Sequence, residues 1–222
     1  MVDFILASQS PRRQSLIKLL NYPFSVLVAN VDESLITHPD PKLNVVKTAV
    51  FKATTIAQQI RSKNKIIIAA DTTVALAGRM LGKPRDAEDA TTMLKALRNQ
   101  DHDVHTGFVL LNLQNGQQVE KVTTAVVTMR NYTNREIADY VASGDPMDKA
   151  GSYAIQHPIF KPVVQLNGCY TAVMGLSICD LILALDELNV PCQANLTAVR
   201  QSHQVANTYF PCPIYEKYIS LA

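Results

Sequence analysis

The chain has 222 residues, 47% of them apolar and 18% charged, with a formal net charge of +2. That length suits one large domain or two small lobes with a proper core, and a charge so near neutral argues against a protein whose main partner is a nucleic-acid backbone. No apolar run reaches membrane-span length, and Asp3 within a short apolar N-terminus does not fit a signal peptide, so the expected compartment is the cytoplasm with no membrane partner.

Residues 3–7 read as a short buried strand. Ser8-Gln9-Ser10-Pro11 then supplies a helix start, with serine as cap and proline in the first turn, and Leu16, Leu19 and Leu20 carry the helix to Asn21. Residues 24–28 form a second strand and 32–41 a polar loop. Residues 42–60 are a long amphipathic helix with Val45, Val46, Ala49, Ala53, Ile56 and Ile60 on its apolar face. Residues 65–76 are a strongly apolar strand broken in the middle by Asp71. Asp86 caps a helix over 87–97, and strands at 104–113 and 118–129 meet across Asn115-Gly116, a hairpin signal. Thr133 caps a helix to Ala142, residues 151–156 are irregular, and 175–188 is a helix carrying Leu181, Ile182, Leu185 and Leu188. The stretch 191–213 is polar, dotted with proline, and is assigned little structure. Strands alternating with helices around an antiparallel hairpin give an α/β class with a mixed sheet.

Five segments could carry chemistry. In Ser8-Gln9-Ser10-Pro11-Arg12-Arg13 a strand runs into a helix start, where free N–H groups and the dipole favour an anion. Two arginines there oppose the dipole, which fits a phosphate site as well as it fits a capped surface helix with solvated arginines. Asp71-Thr72-Thr73 places an acid inside an apolar strand, where it needs a metal, a proton or a cation, or else an exit to solvent. Lys83 stands in Gly82-Lys83-Pro84-Arg85, a stiff loop able to point back at the same cleft; the glycine spacing is not that of a Walker loop. Asp32-Glu33 is a loop carboxylate pair suited to a metal or to orienting water. Gly151-Ser152-Tyr153 followed by Gln156 could read a base edge, since an amide both donates and accepts. Lys52 alone is an ordinary helix lysine. The four cysteines Cys169, Cys179, Cys192 and Cys212 form no Cys-x-x-Cys pair, have no histidine at finger spacing, and read as reduced thiols, with a Cys192–Cys212 bond as the alternative. The histidines are scattered and receive no role.

Together these segments resemble the Maf family of nucleoside triphosphate pyrophosphatases. The resemblance is carried by residues 6–13, by Ala70-Asp71-Thr72-Thr73-Val74 through Gly82-Lys83-Pro84-Arg85-Asp86-Ala87, by residues 140–156, and by Val173-Met174-Gly175-Leu176. It covers roughly residues 3–188, leaving 189–222 as a C-terminal extension. It implies an elongated fold with two lobes around a central cleft, like that of the inosine triphosphatases, and hydrolysis of a nucleoside triphosphate to monophosphate and pyrophosphate. It further implies that Asp71 is the catalytic acid residue and that Glu33 helps with a divalent metal, magnesium or else manganese, held by Asp71 and Glu33. Ser8, Arg12, Arg13, Lys52 and Lys83 would hold phosphates, while Arg12, Thr72 and Gln156 would govern substrate choice, in the branch acting on dTTP and UTP. A homodimer is compatible with the same analogy. The competing readings are a pyrophosphatase for modified nucleotides and a non-catalytic nucleotide-binding regulator of cell division. Here His157-Pro158 follows Gln156 where the family usually has glycines, and Ser177 follows Leu176 where proline is common.

Overall fold

A computed structural model describes residues 2–205 and 208–219. Seven strands form one mixed sheet: β1 (Asp3–Leu6), β2 (Phe24–Val26), β3 (Lys65–Leu76), β4 (Arg79–Leu81), β5 (Asp101–Asn112), β6 (Gln118–Met129) and β7 (Val163–Asn167). Their order is β2-β1-β3-β5-β6-β7, with β4 paired to β3. β1 runs parallel to β2 and β3, and the remaining pairs are antiparallel. The helices are α1 (Pro11–Ile17), α2 (Pro41–Gln59), α3 (Ala87–Leu97), α4 (Asn134–Ala142), α5 (Tyr170–Val173), α6 (Ile178–Glu187) and α7 (Leu196–Gln201). The expected α/β class with a mixed sheet and flanking helices is what the chain adopts.

Strand period sorts β3 between two cores. Ile67 and Ala69 meet Ala49, Ala53 and Ile56 of α2, whereas Ile66, Ile68 and Ala70 join Leu16, Ile17, Leu181 and Leu185 from α1 and α6. Further along, Val74 belongs to a third cluster with Leu94, Leu97, Ile137 and Tyr140 of α3 and α4. β5 and β6 likewise reach from the first regions into the third, through Leu110 and Val104, and through Val119 and Val127. Asp71, Thr72 and Thr73 are therefore the polar interval between apolar regions along one strand. The backbone does not break there: β3 pairs with β5 without interruption from Ile66 to Ala75. The ladder satisfies the peptide groups whatever side chain sits above them, so an internal acid interrupts the core and not the strand.

The Asn115-Gly116 hairpin forms between β5 and β6, with Gly116 at φ 75° and its N–H bonded to the Asn112 carbonyl at 2.9 Å. The short strands β4 and β7 and the helix α5 were not anticipated. The helix expected from 175 begins at Ile178, because Gly175 has φ 116° and the Ser177 side chain caps the next turn.

The stretch 191–213 is also more ordered than its composition suggests. It contains α7 and a small hairpin, β8 (Gln204–Val205) with β9 (Thr208–Tyr209). Val190, Val199, Cys212 and Tyr215 are buried in the core shared with α1 and α6. Tyr22 Oη donates to the Pro191 carbonyl at 2.5 Å, the Asn195 N–H to the Leu19 carbonyl at 3.3 Å, and Phe210 stacks on Tyr170. None of the four cysteines is bridged; Cys192 is exposed and Cys212 is buried beside Cys179, so the Cys192–Cys212 alternative is not realised.

Candidate active site

Alternation along β3 delivers neighbouring residues to opposite faces. Asp71 follows Ile67 and Ala69 toward α2, where its Oδ1 accepts from Lys52 Nζ at 3.0 Å. The same ammonium lies 2.9 Å from Glu33 Oε1. Lys52 is not solvated. It belongs to the buried stripe of α2 with Val45, Ala49 and Ile56, and is only 7% exposed. Glu33 begins a 3-10 turn, Glu33–Leu35, in the loop after β2. One buried cation thus sits between two carboxylates from separate elements.

Thr72 faces the other way, toward α1. Arg13 is held there by three contacts: Nε to the Gly175 carbonyl at 2.7 Å, Nη1 to Ser8 Oγ at 3.3 Å, and Nη2 to Thr72 Oγ1 at 3.2 Å. Thr72 Oγ1 lies 2.9 Å from Thr106 Oγ1, which donates to the Ala172 carbonyl at 2.7 Å. A carbonyl only accepts, so the Thr106 proton is committed to Ala172 and Thr72 donates to Thr106. The result is one directed chain from Arg13 through Thr72 and Thr106 to α5. Burial lowers the Arg13 pKa from its ordinary value, while the Asp71 and Glu33 carboxylates oppose that shift.

The remaining expected residues lie on the same walls. Arg12 is half-buried, Lys83 is exposed in the loop after β4, and Gln156 is half-buried after the turn at Gly151. That turn presses on β3: Gly151 has φ 69°, and a Cβ there would lie 2.9 Å from the Val74 side chain, so no other residue fits without movement. Gln156 Oε1 is buried and has no hydrogen-bond partner among the described residues. Ser8, Arg12, Arg13, Glu33, Lys52, Asp71, Thr72, Lys83 and Gln156 all line one cleft of about 770 Å³, within the ordinary range for a small-molecule site.

The cleft also holds residues to which the sequence assigned no separate role. Asn44 and Thr48 of α2 line it, and so does Lys149, whose buried ammonium is occupied by Asp145 and Asp148 at 3.1 and 2.6 Å. Tyr153 lines it too, with its hydroxyl 2.7 Å from His102 Nε2. Burial holds His102 well below the usual histidine range, at about 4, so it is neutral at pH 7. Thr106 was detectable in principle, as a hydroxyl residue inside the apolar run of β5, but its partner Thr72 emerges only from the β3–β5 register.

A family model described as "Maf-like protein" matches residues 3–188. A dTTP/UTP pyrophosphatase from Dehalococcoides mccartyi is 39% identical over 188 residues, covering 84% of this chain and 82% of the relative. Proteins of the same name from Clostridium botulinum (strain Okra / Type B1) and Chlorobium phaeovibrioides are 38% and 39% identical; the alignments cover 86% and 83% of this chain, and 99% and 96% of the relatives. A solved structure of a nucleoside-triphosphatase / dITP/XTP pyrophosphatase from Mycobacterium abscessus is similar with a TM-score of 0.39 at 14% identity, over 59% of this chain and 75% of the other. Among the described residues no helix is long and apolar enough to cross a membrane.

Proposed function

Because the chain belongs to the Maf-like family, we propose that it hydrolyses dTTP and UTP to the nucleoside monophosphate and pyrophosphate. The observation that carries this reading is the convergence of all nine expected residues on one cleft, with Asp71 on its β3 wall and the basic residues around it. A triphosphate brings about four negative charges, and Arg12, Arg13 and Lys83 offer the opposite sign with several N–H donors.

Asp71 and Glu33 share one ammonium at 3.0 and 2.9 Å, so a cation already fits between these oxygens. Carboxylate oxygens suit a hard divalent ion such as magnesium or manganese, which Asp71 and Glu33 would hold and which supplies positive charge to phosphate oxygens when bound. Lys52 pairs with both carboxylates and holds them aimed into the cleft. Asp71 accepts a proton from water as that water forms a bond to the α-phosphorus; the bridging α–β P–O bond breaks and pyrophosphate leaves. Arg12, Arg13 and Lys83 stabilise the charge moving onto the departing oxygens. Ser8 and Thr72 fix the Arg13 guanidinium for that task. The unpartnered Gln156 Oε1 suits the N3–H that uracil and thymine share.

The test is pyrophosphate release from each common nucleoside triphosphate with magnesium, for the wild type and Asp71→Asn. Release from dTTP and UTP, reduced at least about 10²-fold in Asp71→Asn, is expected for a lost general base. Preference for other bases would discard the substrate assignment. Binding without turnover by the wild type would favour the regulator.

A further inference from the structure

Cys169, Cys179, His203 and Cys212 come from four separate places: the N-cap of α5, the first turn of α6, the turn after α7, and the loop after β9. All four are essentially inaccessible to solvent. Their three sulfurs and one imidazole nitrogen lie within 4.8 Å of one another. We propose that these residues form a structural zinc site that fastens the C-terminal segment to the α/β core.

Three of the six ligand-to-ligand distances match a tetrahedron, and the other three lie within 4.8 Å. Zinc–sulfur bonds of about 2.3 Å and a zinc–nitrogen bond of about 2.0 Å place tetrahedral ligands about 3.8 Å apart between sulfurs and about 3.5 Å apart from sulfur to nitrogen. Cys179 and Cys212 sulfurs are 3.8 Å apart, and His203 Nε2 lies 3.5 Å from Cys169 Sγ and 3.6 Å from Cys179 Sγ. A disulfide would bring two sulfurs to about 2.0 Å.

The surroundings prepare the ligands. His203 Nδ1 lies 2.9 Å from the Val199 carbonyl, which only accepts. The carbonyl holds a ring proton on Nδ1 and leaves Nε2 as the nitrogen that faces the sulfurs, as in a zinc-bound histidine oriented by an outer carbonyl. Thr171 Oγ1 accepts from the Ile178 N–H at 3.1 Å, leaving its own proton for Cys169 Sγ, also at 3.1 Å. That donor offsets part of the surplus charge of three thiolates around a divalent ion. Three thiolates and an imidazole, closed and buried, are soft ligands that select zinc over magnesium. Binding releases the thiol protons to solvent and leaves no open coordination position, so the role is structural. Cys169 and Cys179 lie in the family-matched region while His203 and Cys212 lie beyond it, so the site joins the extension to the core. It also anchors α5, the helix that accepts from Thr106 and leads to the Gly175 carbonyl bonded to Arg13.

The experiment measures metal content by mass spectrometry after dialysis against magnesium buffer. About one zinc per chain is expected in the wild type and in Asp71→Asn, and near-complete loss in Cys212→Ser and His203→Asn. Wild-type protein loaded with cobalt should show the intense visible bands and near-ultraviolet sulfur charge transfer of a tetrahedral thiolate site, and this decides the matter even if the variants fail to fold. Wild-type protein without zinc whose cobalt form shows only weak octahedral bands would overturn the proposal. So would zinc that survives Cys212→Ser and His203→Asn but is lost in Asp71→Asn, since that zinc would lie in the active cleft.

Discussion

Gly107 is a point of close backbone approach between the sheet and the helix that carries Lys52. It pairs with Asp71 across the β3–β5 ladder, and a Cβ built on it would lie 2.8 Å from both Val45 C and Val46 N of α2. Ordinary contact begins at 3.4 Å, so Gly107→Ala forces α2 away by about 0.6 Å, and the obstructing atoms are backbone that no rotamer change can move. Overpacking of this kind costs about 1–3 kcal/mol. Lys52 lies about 10 Å further along the same helix. It shares the displacement, which stretches contacts that now stand at 3.0 and 2.9 Å from Asp71 and Glu33. A shift of that size at a reacting centre lowers turnover about 10-fold. Urea unfolding and pyrophosphate release, measured on the same preparations, check both numbers. Gly82→Ala is the control for stability, because a Cβ there meets nothing within 4 Å. If Gly107→Ala unfolded at the wild-type urea concentration and turned over normally, α2 would have slack, and the claim that its seating sets the Lys52 position would fail.

Two further outcomes follow from the same geometry. Thr106→Val keeps the side-chain shape but strips the Ala172 carbonyl of its donor and Thr72 of its acceptor; it should cost about 1–3 kcal/mol in stability and lower kcat/KM several-fold as Arg13 loosens, whereas unchanged kcat/KM would mean that Arg13 does not depend on the chain. His102 supplies a pH dependence: its native pKa of about 4 lies below the ordinary 6.5, so the unfolded chain binds the proton first as pH falls. Its contribution is complete above pH 6.5 and is lost between 6.5 and 4, about 3 kcal/mol at most. His102→Gln should therefore lose less stability than the wild type across that window in urea titrations at stepped pH, and parallel profiles would show that His102 is not the group responsible.

Much of this architecture was legible because local signals agreed with the fold. The caps at Ser10, Asp86 and Thr133 and the turn at Asn115-Gly116 stand where the sequence places them. The cleft residues were legible because an acid inside an apolar strand and arginines opposing a helix dipole are each costly, and cost points to a ligand. Lys52 had a readable signal too, since it recurs with Val45, Ala49 and Ile56 at helical spacing, although lysine at such a position is ordinarily taken to reach solvent. Thr106 stands out as a hydroxyl inside the apolar run of β5, but its pairing with Thr72 is readable only from the strand register.

The extension marks a different limit. Finger-type metal sites are readable when their ligands lie close together on a knuckle or a single helix, so that spacing reports geometry. Here each ligand sits on its own element, and their approach depends on α6 lying beside β6 and on the tail folding back past Tyr22 and Tyr170. The polar, proline-dotted composition of 191–213 read as loop because it lacks the apolar period that a packed segment usually needs. A metal bond removes that requirement: one buried ion holds a short helix and a two-residue hairpin that their own apolar surface would hold weakly. Low hydrophobicity in the extension is then a consequence of the fastening and not a sign of disorder, which is why composition and structure point in opposite directions there.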